Sequence, residues 1–197
     1  MSKSIRCLDI GPGSQPAIPT SPDEVWESLD AYAGYNPTYL GDCRNTGLPN
    51  DHFDIVHASH IIEHVEWHEI ESTLAEWKRI LKPGGRLEVW TVNASPIMER
   101  LVHYERTGEW DKGVSTWQEK LTKLNPFLHW SGRILNYSKK GSNGDLNLHR
   151  SMYTPRFMRE MFEKVGMENV RSVEHDEFAR GTKHKHINMG VHAEKPA

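Results

Sequence analysis

Cysteine is scarce in this chain: Cys7 and Cys43 are the only two in 197 residues. Two cysteines cannot build a disulfide framework, and these lack the paired spacing of a zinc site. A reducing, cytoplasmic compartment is therefore expected. Long apolar runs are missing, and nothing approaches the roughly 20 residues that a membrane span needs. The first apolar stretch, Ile5 to Ile10, contains Asp9, so no secretory leader is expected. An excess of positive charge is missing as well. Basic residues number 24 and acidic residues 27, a net charge of −3 with neutral histidine, which provides no bulk field for nucleic acid. Internal repeats and low-complexity tracts do not occur. The mean hydropathy is low, −0.68. Seven Trp, six Tyr and five Phe nonetheless argue for a packed core, and the length suits one domain.

The pattern alternates short β-rich runs with amphipathic helix. Ile5–Ile10 reads as a strand running into Gly11-Pro12-Gly13. Pro12, Pro16, Pro19 and Pro22 then forbid a full helix, because each removes a backbone donor and clashes one turn back. Glu24 to Leu29 reads as a second strand ending at Asp30, and Tyr39 to Asp42 as a very short third. Asp51 to Ala58 reads as a buried strand after a turn. Trp67, Ile70, Leu74, Trp77 and Leu81 recur at helical spacing and predict one buried stripe, with Pro83-Gly84-Gly85 as its stop. Arg86 to Val92 alternates as a strand. Weaker helical signals lie near 95–106 and around Trp117, Leu121 and Leu124. Thr154-Pro155 opens a helix through Val165, and strands are expected at Val170–His175 and Ile187–Ala193. Strand–helix alternation implies a mostly parallel sheet whose ligands bind beyond the carboxyl ends of the strands.

The strand ends carry the chemistry. Glycines 11 and 13 let backbone approach a ligand without a Cβ clash. Asp30 follows Gly13 by 17 residues, a spacing that places a carboxylate to accept both hydroxyls of a ribose. Asp42, a third acidic strand end, is positioned for an adenine amino group.

Leu8-Asp-Ile-Gly-Pro-Gly13, Leu48-Pro49, Phe53 through His64 and Trp77-Lys-Arg-Ile-Leu-Lys-Pro-Gly-Gly-Arg-Leu87 together resemble the class I S-adenosylmethionine-dependent methyltransferases, most closely the small type 11 group. The R-x-L-K-P-G-G run is the most specific part. The likeness covers residues 5–92 and, more loosely, 154–170. It implies an α/β Rossmann-like fold: a mostly parallel seven-stranded sheet, an antiparallel C-terminal hairpin and reduced N-terminal helices. It implies S-adenosyl-L-methionine as cofactor, with S-adenosyl-L-homocysteine as product. Asp9, Gly11, Pro12, Gly13, Asp30, Asp42, Cys43, Ser59 and His60 would hold it: the glycine loop at the methionine and ribose, Asp9 beneath that loop, Asp30 at the ribose diol, Asp42 and Cys43 at the adenine, Ser59 and His60 at the methyl group. Gln15 replaces the usual third small residue, and the proline-broken first helix leaves the cradle open on that side.

The expected reaction is methyl transfer to an oxygen or nitrogen of a small metabolite or saccharide, in one domain of 1–197 with an inserted lid or substrate module at about 93–150. Two alternatives are a cofactor-binding module without turnover and a nicotinamide-dependent oxidoreductase. The Lys-Pro-Gly-Gly segment speaks against the second. The sulfonium is already activated, so positioning dominates and a base assists at a hydroxyl or protonated amine. His60, His64 and His149 are the candidate bases, since histidine titrates near neutrality. His60 and His64 would share a face if residues 60–64 were helical. With Glu63 they also match an H-x-x-E-H zinc pattern, but the methyltransferase motif accounts for the same residues, so no metal is expected. In the insertion, Tyr104, Trp117 and Trp130 are candidates to line an acceptor pocket; the alternative is a small core of the insertion itself.

Overall fold

The computed structural model describes residues 4–109, 126–135, 148–173 and 188–197. In chain order the elements are β1 (Ile5–Ile10), β2 (Glu24–Asp30), β3 (Tyr39–Leu40), β4 (Phe53–Ser59), α1 (Ile70–Ile80), β5 (Leu81–Val92), α2 (Ala94–Thr107), α3 (Pro126–Ile134), α4 (Pro155–Lys164), β6 (Glu168–Val173) and β7 (Asn188–Glu194). Short 3-10 turns occupy Ala33–Tyr35 and Ile62–His64. The strands form one seven-stranded sheet in the order β3-β2-β1-β4-β5-β7-β6. The first five are parallel neighbours, while β7 lies antiparallel to both β5 and β6. This is the expected Rossmann-like sheet with its C-terminal antiparallel hairpin.

One face of the sheet carries the main core. Val56 and Ala58 of β4, Leu87 and Val89 of β5, and Val191 and Ala193 of β7 alternate toward α1 and α4. The helices answer with Ile70, Leu74, Trp77 and Ile80, and with Met158 and Phe162. Thr154 caps α4, its side chain accepting the backbone N–H of Phe157. Lys78 reaches across from α1 and donates to the carbonyls of Val165 and Gly166, neutralising the exposed end of α4.

Two expected boundaries are corrected. Helix α1 begins at Ile70, and Trp67 lies before it, 72% exposed. The short 3-10 turn and the residues after it intervene, so the stripe loses its first member. Nor does Pro83-Gly84-Gly85 cap the helix. Leu81 is already extended, and β5 starts there. Phe53 pairs with Leu81 but Ile55 pairs with Arg86, so Lys82 to Gly85 bulge out of register. Gly84 takes φ +73° in the bulge and donates to the Lys195 carbonyl, while Lys195 donates to that of Gly85. The proline and glycines serve a strand bulge held by the C-terminal tail. As expected, no helix forms between Gly11 and Pro22.

Candidate active site

The carboxyl ends of β1, β2, β3 and β4 open onto a cleft of about 410 Å³, in the size range of a cofactor pocket. Gly11, Gly13, Asp30, Asp42, Cys43 and His60 line it, together with Tyr32, Tyr35, Arg44, Ile61, His64 and Arg150 among others. Six of the nine proposed cofactor residues therefore meet at one cavity. Asp9, Pro12 and Ser59 are not on its wall. Asp9 is buried beneath the loop and accepts the Ala17 N–H at 2.6 Å, pinning the proline-rich segment onto β1. Ser59 Oγ is buried without a hydrogen-bond partner among the described residues.

The glycine loop is built for close backbone approach. Gly11 sits at φ +66°, and a Cβ there would meet Ile61 Cδ1 at 2.6 Å. Gly13, at φ +54°, donates its N–H to Asp30 Oδ2 at 3.1 Å. Asp30 Oδ1 accepts the Tyr32 N–H at 2.9 Å. The carboxylate is thereby held at the rim by two backbone donors. Asp42 is paired with Arg44, whose hydrogen bonds hold its carboxyl below the usual carboxylate range. Arg44 also bridges to Glu69. Burial, reinforced by Asp42, pushes the Cys43 thiol up to about 12, so Cys43 is no nucleophile. Its carbonyl accepts from Trp77 Nε1.

Beyond β4 the chain makes the 3-10 turn, so the helical pairing of His60 with His64 is corrected. His60 takes φ +57°, and its Nδ1 lies 2.8 Å from Glu63 Oε1. Glu63 is 2% exposed, and its other oxygen accepts from Thr91 Oγ1. Burial alone would raise this carboxyl, but His60, His64 and His149 outweigh it and hold it down to about 2. The returning segment zips onto the turn. Arg150 and Ser151 donate their N–H groups to the Glu63 carbonyl, Tyr153 Oη donates to Ile62, and His64 Nδ1 meets the Leu148 carbonyl at 3.1 Å. Arg150 is also ion-paired with Glu66. His149 stands edge-on to His64 with ring centroids 5.1 Å apart.

His149 lines a second, very small cavity with Glu63, Thr91 and Val92 at the end of β5. In the insertion, Trp130 packs on Ala94, Ile97 and Ile134 and stacks on Phe127, the satellite-core arrangement. Tyr104 lies on α2, away from the lining of both cavities, and Trp117 falls outside the described residues.

The model of a family described as a methyltransferase domain matches residues 2–172. The chain belongs to the methyltransferase-domain family. No curated protein matches it. Solved structures give the fold of this methyltransferase domain again. The CurJ carbon methyltransferase superposes with a TM-score of 0.59 at 13% identity, over 100% of this chain and 50% of that one. A SAM-dependent methyltransferase from Aquifex aeolicus gives 0.54 at 14%, over 98% and 84%. Phosphoethanolamine N-methyltransferase 2 of Haemonchus contortus, solved with S-adenosyl-L-methionine, gives 0.55 at 12%, over 100% and 50%. The chain spans half to just under two thirds of the first two structures it matches, 50% and 63%. The class I resemblance read from the motifs is thus borne out.

Tyr32, Tyr35, Arg44 and Arg150 were not singled out from the sequence. The two tyrosines form an edge-on pair with centroids 5.2 Å apart on the cleft wall. Their signal was position, just past an acidic strand end. Arg150 carried none, because its place depends on how the insertion returns.

Proposed function

We propose that the chain binds S-adenosyl-L-methionine in the 410 Å³ cleft and transfers its methyl group to an oxygen or nitrogen of a small metabolite or saccharide. The observation that carries this reading is the Asp30 carboxylate held beside Gly13 at the mouth of a glycine loop with no room for a Cβ at Gly11. In this reading Asp30 takes the ribose diol, and Gly11 to Gly13 line the ribose and methionine. Asp42 and Cys43 border the adenine, beside the Tyr32–Tyr35 wall. When bound, the cofactor supplies a sulfonium-activated methyl group.

The chain's own part is orientation and water exclusion. His60, on the cleft wall and tied to Glu63, is the residue placed to take or relay a proton. His64 lines the same cleft, and His149 stands beside it at the end of β5. The relatives leave the acceptor atom open, since one is named for carbon and another for nitrogen methylation. The net charge of −3 favours a small acceptor over nucleic acid. Residues 93–150 belong to this reading as an acceptor-side module, supported by the small core of α2 and α3 and by the return of His149 beside His64. A cytoplasmic location belongs to it on cysteine content alone; among the described residues, no helix is long and apolar enough to cross a membrane.

Calorimetric titration with S-adenosyl-L-homocysteine and with NAD tests the reading. Saturable binding of the first alone is expected, followed by methyl transfer to a member of an oxygen- and nitrogen-acceptor panel. NAD binding in its place overturns it, and cofactor binding with no turnover on any acceptor favours the module without turnover.

A further inference from the structure

Three donors from two distant segments converge beside the cleft. One carboxylate oxygen of Glu63, one ring nitrogen of His64 and one of His149 all lie within 4.8 Å of one another. The first two sit on the 3-10 turn after β4, and the third on the segment that returns from the insertion. We propose that Glu63, His64 and His149 form a binding site for a first-row divalent cation, such as Mn²⁺ or Zn²⁺, at the acceptor side of the cleft.

The supporting shell is already built. His64 Nδ1 is committed to the Leu148 carbonyl at 3.1 Å. That contact places a proton on Nδ1, so a metal bond from His64 would be made through Nε2, the usual arrangement behind a ligating imidazole. Glu63 is oriented from both sides, by His60 at 2.8 Å and by Thr91 Oγ1 at 2.9 Å. The backbone bonds from Arg150 and Ser151 to the Glu63 carbonyl hold the two segments together, so the donors from 63–64 and 149 are preorganised across 85 residues of sequence. Ligands about 2.1 Å from a common tetrahedral ion sit about 3.4 Å apart. The three donors lie within 4.8 Å of one another with no ion between them.

Two imidazoles and one carboxylate suit first-row transition ions better than magnesium, which prefers all-oxygen shells. Three protein ligands leave positions open. His64 lines the cofactor cleft, while Glu63 and His149 line the small cavity at the end of β5. The open positions therefore lie where an acceptor would meet the cofactor. This use of the site rests on the methyltransferase reading above. A cation there lowers the pKa of a coordinated hydroxyl. The hydroxyl gives its proton to His60 on the same cleft wall, which relays it outward, and its oxygen forms a bond to the methyl carbon. The carbon–sulfur bond breaks with its electron pair remaining on sulfur. The products are a methyl ether, a neutral thioether and one proton.

The test is titration of the full chain with MnCl₂, followed by electron paramagnetic resonance of the free ion, and with ZnCl₂ by calorimetry. One equivalent is expected to bind to the wild type. His149→Ala and Glu63→Gln are each expected to weaken binding by more than about tenfold. Because Glu63 is buried, circular dichroism establishes the fold of both variants, and His149→Ala alone suffices if Glu63→Gln does not fold. No saturable binding of either ion, or binding unchanged in a folded His149→Ala, overturns the site. S-adenosyl-L-homocysteine titrated in parallel separates the two readings. Homocysteine-product binding without metal binding sinks the metal site and leaves the methyltransferase assignment standing. Metal binding without product binding keeps the site and removes the acceptor role given to it.

Discussion

Asp30 Oδ2 accepts the backbone N–H of Gly13 across 3.1 Å, which ties the end of β2 to the loop after β1. The same carboxylate holds Tyr32 through its other oxygen. One side chain thus sets both the shape of the loop and the polarity of the rim. Asp30→Ala is expected to weaken S-adenosyl-L-homocysteine binding by about 1.5–3 kcal/mol, the worth of hydrogen bonds to a charged group. Calorimetry on wild type and variant checks this. Asp30→Asn keeps the acceptor to Gly13 but loses the charge, and an intermediate loss is expected. Equal affinities in all three proteins would remove Asp30 from the site.

Gly11 faces two obstacles to any side chain. Its φ of +66° disfavours a Cβ, and that Cβ would lie 2.6 Å from Ile61 Cδ1. Gly11→Ala is expected to cost about 2–4 kcal/mol of stability, from left-handed strain plus overpacking. Denaturant unfolding measures it. Ile61→Ala on the Gly11→Ala background is expected to recover part of the loss, because only the clash is relieved and the strain stays.

The sheet, its order of elements and the meeting of Gly11, Gly13, Asp30 and Asp42 at one cleft were legible because they rest on local signals. Alternation, glycine and an acidic strand end mark β1, β2 and β4 without knowledge of tertiary contacts. The boundaries of α1 were less so. Trp67 falls on the helical period of Ile70 and Leu74, yet periodicity carries no record of where the first hydrogen-bonded turn closes. Pro83-Gly84-Gly85 reads equally as a helix stop or a strand bulge, and pairing with Lys195, over a hundred residues away, decides it. The meeting of Glu63 and His64 with His149 was hidden for the same reason. His60 and His64 share a local spacing, whereas His149 arrives only through the closure of the insertion onto the turn.

The two tryptophans of the expected helix stripe separate in consequence. Trp77 is fully buried against the sheet, with its Nε1 bonded to the Cys43 carbonyl at 2.8 Å. Trp77→Ala is expected to destabilise the fold by about 3–5 kcal/mol. Trp67→Ala removes an exposed ring and is expected to stay within about 0.5 kcal/mol of wild type. Urea denaturation of both variants makes the comparison, and a large loss at Trp67 would place it back in the core.

A row of ionisable groups crosses the face of the sheet opposite α1 and α4. His57, Glu88 and His192 are cross-strand neighbours on β4, β5 and β7, each no more than 1% exposed. His57 Nδ1 lies 3.3 Å from Glu88, and Arg86 approaches the same carboxylate. Burial pulls His192 down to about 4, against the opposing pull of Glu88. Burial would raise Glu88, but the His57 hydrogen bond and the surrounding positive charges bring it down to about 2. Both groups therefore bind protons more weakly in the folded chain than in the unfolded one, so stability falls on acidification. For His192 the contribution is complete above about pH 6.5 and is lost as the pH drops toward 4. For Glu88 it is complete above about 4.5 and is lost toward 2. The His192 window alone amounts to about 2–4 kcal/mol at 1.36 kcal/mol per unit. Melting temperature measured from pH 8 to 4 is expected to decline from about pH 6.5 downward. His192→Phe removes the titrating group and is expected to flatten that upper part of the profile while leaving the fall below about 4.5 in place. A wild-type melting temperature level between pH 7 and 4.5 would show that His192 takes up its proton in the folded state.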